Sequence, residues 1–267
     1  MIVVKIGGAQ GINLDAVCND IAFLAKQGQQ TVVVHGGSAE TNEISTRLGH
    51  PPRFVTGASG FTSRYTDRQT LEIFAMVTSG KINTQLVEHL QKFGVNAFGL
   101  SGIDGRLMVA RRKDAIRIVE NGRQRMLRDD YTGKIETVDG GLLGMLLGAG
   151  YTPVVAPLAI SHEGDALNVD ADRAAAMVAG AVHAEQLVLL TNVPGLMRSF
   201  PDESTLIVHL PRTGLEQALS FAEGRMKKKV LGASEALEQG VGKIVFSDGR
   251  VDHPLLDALA GKGTVIS

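Results

Sequence analysis

The chain has 267 residues, a formal net charge of −1, one cysteine and no tryptophan. That length suits one large α/β domain or two closely joined lobes around a substantial core. The single Cys18 excludes a disulfide scaffold and a cysteine-rich metal site and fits a reducing, cytoplasmic setting. The near-neutral balance argues against a chain whose whole surface binds nucleic acid.

Residues 1–8 lack a basic stretch followed by a long apolar one, so no secretory signal is predicted. The most apolar zone, 140–160, is broken by glycines, Pro153 and Pro157 and falls short of the roughly 18 clean apolar residues of a membrane span. A soluble protein without a membrane partner is expected. With 32 glycines against 8 prolines, the chain reads as compact and rich in tight turns.

In chain order, 2–6 and 31–35 are Val-rich runs suited to a parallel sheet covered on both faces, and each ends in a Gly-Gly pair. Between them Leu14, Val17, Ile21 and Leu24 recur at helical spacing after Asn13, a candidate N-cap, and the pattern stops at Gly28. This is a βαβ unit. Ser38 is a candidate cap for the next helix. A longer helical region follows Asp67 and continues past Gly80, and 95–100 reads as a strand. From Arg106 to about Val138 the texture departs from this: β-like stretches over 116–120 and 123–127 flank Asn121-Gly122, a strong hairpin signal, so an antiparallel insertion is predicted. Alternation then resumes with helices over 142–147, 174–182 and 230–238 and strands over 152–156, 186–190 and 243–246. A soft boundary near Ala184 separates residues 1–184 from 185–267.

Four places offer chemistry. Lys5-Ile6-Gly7-Gly8 closes the first strand; glycines there let backbone amides approach an anion, and the lysine adds positive charge. A plain turn is the competing reading. Val34-His35-Gly36-Gly37 repeats the pattern at the next strand, where ligands of open α/β sheets bind. His35 itself reads as a structural strand-end histidine or as a base. Gly224-Arg225-Met226-Lys227-Lys228-Lys229 places cations at the start of a helix, where the dipole disfavours them unless an anion binds; a solvated basic loop is the alternative. Asn168-Val169-Asp170-Ala171-Asp172 precedes an alanine-rich helix, and Asp172 is either a cap or part of a polar ligand surface. Neither a P-loop nor a G-x-G-x-x-G fingerprint follows the first strand, and no G-x-S-x-G elbow supplies a hydrolase nucleophile.

These motifs, with Leu190-Thr191-Asn192-Val193-Pro194-Gly195, occur in the order and spacing of the amino-acid kinase family, and the sequence resembles its acetylglutamate kinase branch across nearly the whole chain. The fold implied is α/β: an open αβα sandwich with a mainly parallel central sheet and a β-hairpin insertion. An N-terminal acceptor lobe (1–184) and a C-terminal ATP lobe (185–267) follow from it. Within the branch, 38–42, 49–54, 99–106, Arg111-Arg112-Lys113, 130–133 and 192–195 resemble kinases that phosphorylate an amino acid held on a small acidic carrier protein, LysW. The carrier-loaded 2-aminoadipate of lysine biosynthesis, with glutamate as a second substrate, is therefore the expected acceptor. Two departures from free-substrate acetylglutamate kinases agree with that: Ser38 follows the glycine pair, and Asn192 stands where Asp is usual.

The resemblance implies catalytic roles for Lys5, Lys229 and Asp172, with Asp172 between the lysines. It implies acceptor contacts from Gly36, Gly37, Arg64 and Asn168, and ATP phosphate contacts from Gly7, Gly8, Thr191 and Asn192. The cofactor is expected to be ATP with Mg²⁺ and no protein-held metal, and a homodimer is implied. A carboxylate acceptor is already ionised at neutral pH, so a general base is not required.

The 106–128 segment carries Arg106, Arg111, Arg112, Lys113, Arg117, Arg123, Arg125 and Arg128 against Asp114 and Glu120, a local +6 that leaves −7 on the rest of the chain. It reads as a solvated ribbon, as an RNA contact weakened by the lack of aromatic residues, or as a face that steers an acidic carrier. Two other functions stay open on sequence: a kinase of free N-acetylglutamate, and a non-catalytic nucleotide or amino-acid sensor on the same fold.

Overall fold

The structure is a computed structural model that describes residues 1–57, 62–112, 115–120, 123–222 and 224–267. The chain begins with β1 (Ile2–Ile6), α1 (Leu14–Lys26), β2 (Thr31–His35) and α2 (Ser38–Arg47). A short ribbon, β3 (Phe54–Thr56) and β4 (Thr62–Arg64), leads to α3 (Arg68–Ala75), α4 (Asn83–Lys92) and β5 (Ala97–Ser101). Then come β6 (Met108–Arg112), β7 (Ile116–Glu120), β8 (Arg123–Leu127), β9 (Gly133–Val138), α5 (Gly140–Gly148), β10 (Thr152–Ala156), β11 (Leu158–Ile160) and β12 (Ala166–Asn168). The chain closes with α6 (Ala171–Ala181), β13 (Gln186–Thr191), β14 (His209–Leu210), α7 (Leu215–Phe221), α8 (Gly224–Glu238), β15 (Lys243–Asp248), α9 (Pro254–Leu259) and β16 (Thr264–Ile266).

An eight-stranded sheet in the order β14-β16-β15-β13-β1-β2-β10-β5 forms the centre. The six strands from β15 to the edge strand β5 are parallel, and β16 runs antiparallel to β15. Both faces are covered, as the Val-rich runs require. One core gathers Ile2, Val4, Ile6 and Val33 with Val17, Ile21, Leu86, Leu90 and Leu255 from α1, α4 and α9. The other gathers Val3, Val32 and Val34 with Leu143, Ala174, Ala175, Ala176 and Ala179 of α6, and Val230, Ala233 and Ala236 of α8. Cys18 is buried in α1, and burial pushes its thiol up to about 12.

The antiparallel insertion forms with the expected strands, β7 pairing with β8. Three expectations change. The hairpin does not take in the whole of 106–128: β6 pairs instead with β9 in a second sheet, β12-β11-β6-β9. The non-local partner wins because Met108 and Ala110 face a closed core while Ile135 comes from the opposite strand. The helical region past Gly80 is interrupted by a π-helical segment, Met76–Ile82. Gly37, rather than Ser38, occupies the N-cap of α2. The Asn121-Gly122 turn lies outside the described residues. Among the described residues no helix is long and apolar enough to cross a membrane.

Candidate active site

Strand alternation decides which side chains reach the carboxyl edge of the sheet. Along β1, Val3 enters the core under α6 and α8, while Ile2, Val4 and Ile6 enter the opposite one. Lys5 shares the face of Val3, so its ammonium meets Asp172 of α6, with Nζ 2.8 Å from Oδ1. The cap of α6 is Asp170, whose carboxylate accepts from the amides of Asp172 and Arg173. Asp172 is thereby released for the lysines. Lys229, in the second turn of α8, donates to both Asp172 carboxylate oxygens at 3.0 Å. Of the three consecutive lysines, this is the one whose position on α8 faces α6.

One carboxylate therefore bridges two nearly buried ammonium groups, and the trio carries a net +1. Burial opposes the charge of Asp172, but Lys229 and then Lys5 outweigh it and hold the carboxyl far below the usual carboxylate range. Burial also pushes the Lys229 ammonium down, with Asp172 pulling the other way. The surplus positive charge suits an anion arriving between the lysines.

The two glycine pairs meet backbone to backbone. A Cβ on Gly8 would run into the Gly37 nitrogen, and one on Gly36 would come within 2.8 Å of the Gly8 nitrogen. Only glycine allows loops after β1 and β2 to close on each other this way. Gly7 donates to Leu190 O at 3.0 Å, Gly36 to Ile6 O at 2.9 Å, and Ala39 to Gly8 O at 3.0 Å. Among the described residues the amides of Gly8 and Gly37 donate to nothing, which leaves two N–H groups for a ligand.

Arg64, at the end of β4, is 8% exposed and donates to Asn42 Oδ1 at 2.5 Å and Ser38 O at 3.3 Å. It brings a guanidinium to the mouth of α2. Asn168, at the end of β12, donates through Nδ2 to Thr66 Oγ1 at 3.0 Å. Sequence reasoning missed the residue that organises this side, Asp130. Fully buried, it accepts from the Thr66 amide at 2.9 Å and from the Thr132 amide at 3.2 Å and hydroxyl. Its only sequence signal was its place in the 130–133 motif. Beside it, the Arg112 guanidinium lies 3.7 Å from the Tyr131 ring centroid.

At the end of β13 the Thr191 hydroxyl donates to Val193 O at 2.7 Å and accepts from the Val193 amide at 3.2 Å. Thr191 lies beside Gly7, whereas Asn192 is exposed at the rim. The basic residues do not act as one ribbon. Arg106 reaches Ser161 O at 3.5 Å, Arg111 pairs with Glu136 at 2.6 Å, and Arg112 donates to Asp130 O at 3.0 Å and pairs with Asp165 at 3.4 Å. Arg117, Arg125 and Arg128 are exposed on or beside the β7–β8 ribbon, which Gly57 joins to the β3–β4 ribbon through a bridge to Ile118. Arg123 falls on β8, and Lys113 lies outside the described residues.

His35 is a structural group. It is 1% exposed, and burial first, then Lys5, lower its pKa to about 4 even though its bond to Gly36 works the other way, so it is neutral at pH 7.

A mainly parallel sheet with covered faces, two fused glycine loops and a carboxylate-bridged lysine pair at its carboxyl edge defines a phosphotransferase of the ATP-using α/β kind. The chain belongs to the amino acid kinase family, which it matches over residues 1–248. It is 58% identical over its full length to a [LysW]-aminoadipate kinase from Deinococcus radiodurans, of which it covers 91%. It is 54% identical to one from Thermus thermophilus, with both chains covered completely. Among solved structures, an N-acetylglutamate synthase from Neisseria gonorrhoeae complexed with coenzyme A and N-acetyl-glutamate superposes with a TM-score of 0.81 at 28% identity; the match covers 100% of this chain and 59% of that one.

Proposed function

We propose that this chain transfers the γ-phosphoryl group of ATP to the side-chain carboxylate of 2-aminoadipate, or of glutamate, carried on the acidic protein LysW. The relatives from Deinococcus and Thermus support the carrier and the acceptor. The observation that carries the chemistry is the Lys5–Asp172–Lys229 trio beside two unengaged glycine amides.

A carboxylate oxygen of the acceptor attacks the γ-phosphorus. The new O–P bond forms as the bond to the β,γ-bridging oxygen breaks, and the electron pair leaves on ADP. No proton is transferred, so no base is needed. Lys5 and Lys229 neutralise the charge that spreads over the transferring oxygens, and Asp172 fixes where the two ammonium groups sit. The Gly8 and Gly37 amides add donors that need no reorganisation. Arg64 and Asn168 orient the acceptor, and Thr191 and Gly7 line the phosphate side.

Mg²⁺ is proposed to arrive on the nucleotide, held by phosphate oxygens and water, as it commonly is. The carboxylate nearest the reaction, Asp172, has both oxygens on lysines and is a poor ligand for it. Residues 1–184 would serve the acceptor and 185–267 the nucleotide, in a cytoplasmic homodimer. The exposed ribbon arginines would steer the acidic carrier.

A coupled assay of ADP release with LysW bearing each amino acid, and with free N-acetylglutamate, tests the reading. Turnover with the free acid and none with loaded carrier would overturn the choice of acceptor. Nucleotide binding without ADP release from any acceptor would make the chain a sensor.

A further inference from the structure

Asn83, the first residue of α4 and outside the motifs, meets His35 just before the glycine loop of β2. Its side chain is 5% exposed and reaches three main-sheet strands. Nδ2 donates to Val154 O of β10 at 2.9 Å, lies 3.5 Å from Leu100 O of β5, and faces His35 Nε2 at 3.1 Å. The two carbonyl oxygens settle which end of the amide carries the protons, since the opposite orientation would set Oδ1 against them. Nε2 of His35 must then accept. With the ring neutral, its proton sits on Nδ1, which donates to Gly36 O at 3.0 Å.

In a trans peptide the C=O and the following N–H point in opposite directions. Pulling the Gly36 carbonyl toward the imidazole therefore turns the Gly37 N–H away from it; the Gly8 backbone lies against the Gly37 nitrogen. The loop is clamped from the other side as well. A Cβ on Gly37 would lie 2.7 Å from Ile82 Cδ1 and 2.8 Å from Thr78 Cγ2, both from the π-helical segment that Asn83 directly follows. The π turn sets the phase of the helix so that Thr78 and Ile82 meet the glycine while Asn83 meets the histidine; such turns are frequent at functional sites.

We propose that Asn83 is a positioning residue for phosphoryl transfer: it selects the Nδ1–H form of His35, which holds the Gly36–Gly37 peptide so that the Gly37 amide faces the transferring group. This rests on the phosphotransferase reading, but its first half concerns only a proton and can be measured without turnover.

The test begins with 15N spectra of histidine-labelled protein, assigned with His35→Asn. The wild type should carry the His35 proton on Nδ1, and in Asn83→Leu that preference should be lost. The Gly37 amide proton should shift downfield with Mg-AMP-PNP in the wild type and respond less in Asn83→Leu. In the coupled assay Asn83→Leu should lower kcat by roughly 10- to 100-fold, somewhat less than complete loss of such a donor, with KM values little changed. His35→Asn keeps a donor near the Nδ1 position, so it should retain more activity than His35→Leu and be insensitive to a further Asn83→Leu change. A wild-type proton on Nε2, or an unchanged kcat and an unchanged Gly37 response in a folded Asn83→Leu protein, overturns the proposal. A wild type that releases no ADP from any acceptor overturns the phosphotransferase reading instead, and the proton position and Gly37 shift still decide the role of Asn83.

Discussion

Asp172→Asn keeps the shape of the bridging side chain and removes its charge, leaving two nearly buried ammonium groups facing each other. Removing one partner of a buried ion pair costs about 3–5 kcal/mol. The replacement amide oxygen can still accept from one lysine and recover part of that, so a net loss of about 2–3 kcal/mol at pH 7 is expected. The sign with pH follows from the shifts. The folded-state pKa of Asp172 lies below its unfolded value of about 3.9, so its contribution is complete above that pH and fades as pH falls below it. The folded-state pKa of Lys229 is lowered, so its buried charge is a cost that is relieved as pH rises from that value toward the unfolded one. The variant, without the carboxylate, should feel that relief earlier. Urea unfolding of both proteins from pH 3.5 to 9.5 should show a gap that is widest near neutrality and narrows at both ends. Without the carboxylate the lysines no longer hold their places, and kcat should fall about 10²- to 10³-fold. A gap below about 0.5 kcal/mol at pH 7, or one that does not change with pH, would refute the argument, because ordinary surface substitutions lie in that range.

Gly8→Ala should force the two glycine loops apart, because its Cβ has only the Gly36–Gly37 backbone to move into; ADP release should drop at least 100-fold, as when a backbone donor is lost, and near-normal turnover would show that the loops yield. Asp20 is fully buried and accepts from the Leu255 and Leu256 amides at 2.9 and 3.1 Å, capping α9. Asp20→Ala should cost about 2–4 kcal/mol and lower Tm by roughly 5–12 °C, as read by calorimetry. Arg117→Glu with Arg128→Glu should raise KM for loaded carrier about tenfold and flatten its salt dependence. An unchanged KM and salt slope would remove the ribbon from carrier docking.

The inner strands and the lysine-bearing motifs were legible because each is a local pattern. A Val-rich run ending in Gly-Gly reads as a strand covered on both faces, and alternation along it sends Lys5 to the side of α6 and α8. Which of Asp170 and Asp172 caps the helix and which bridges the lysines was legible only through the family resemblance, since either carboxylate fits either role in isolation. The Asn121-Gly122 signal found the β7–β8 pair, but β6 and β9 are separated in sequence by that hairpin and carry no turn signal toward each other; their pairing is fixed by burial of Ala110 and Ile135 in the shared core. Asp130 and Asn83 were passed over for a related reason. A buried polar side chain that serves distant backbone groups leaves no periodic trace, and Asn83 bonds to a residue 71 positions away.

Cys18 has a practical consequence. It is the only cysteine in the chain, it is sealed under the sheet, and burial, with Asp15 adding to it, keeps its thiol protonated to about pH 12. Thiolate chemistry needs both access and ionisation, and this sulfur has neither. Maleimide reagents should therefore ignore the native protein, and a cysteine introduced at Arg117 would be its sole attachment point for a fluorophore. The ribbon can then be watched directly as a partner approaches, without first stripping the chain of its own thiol.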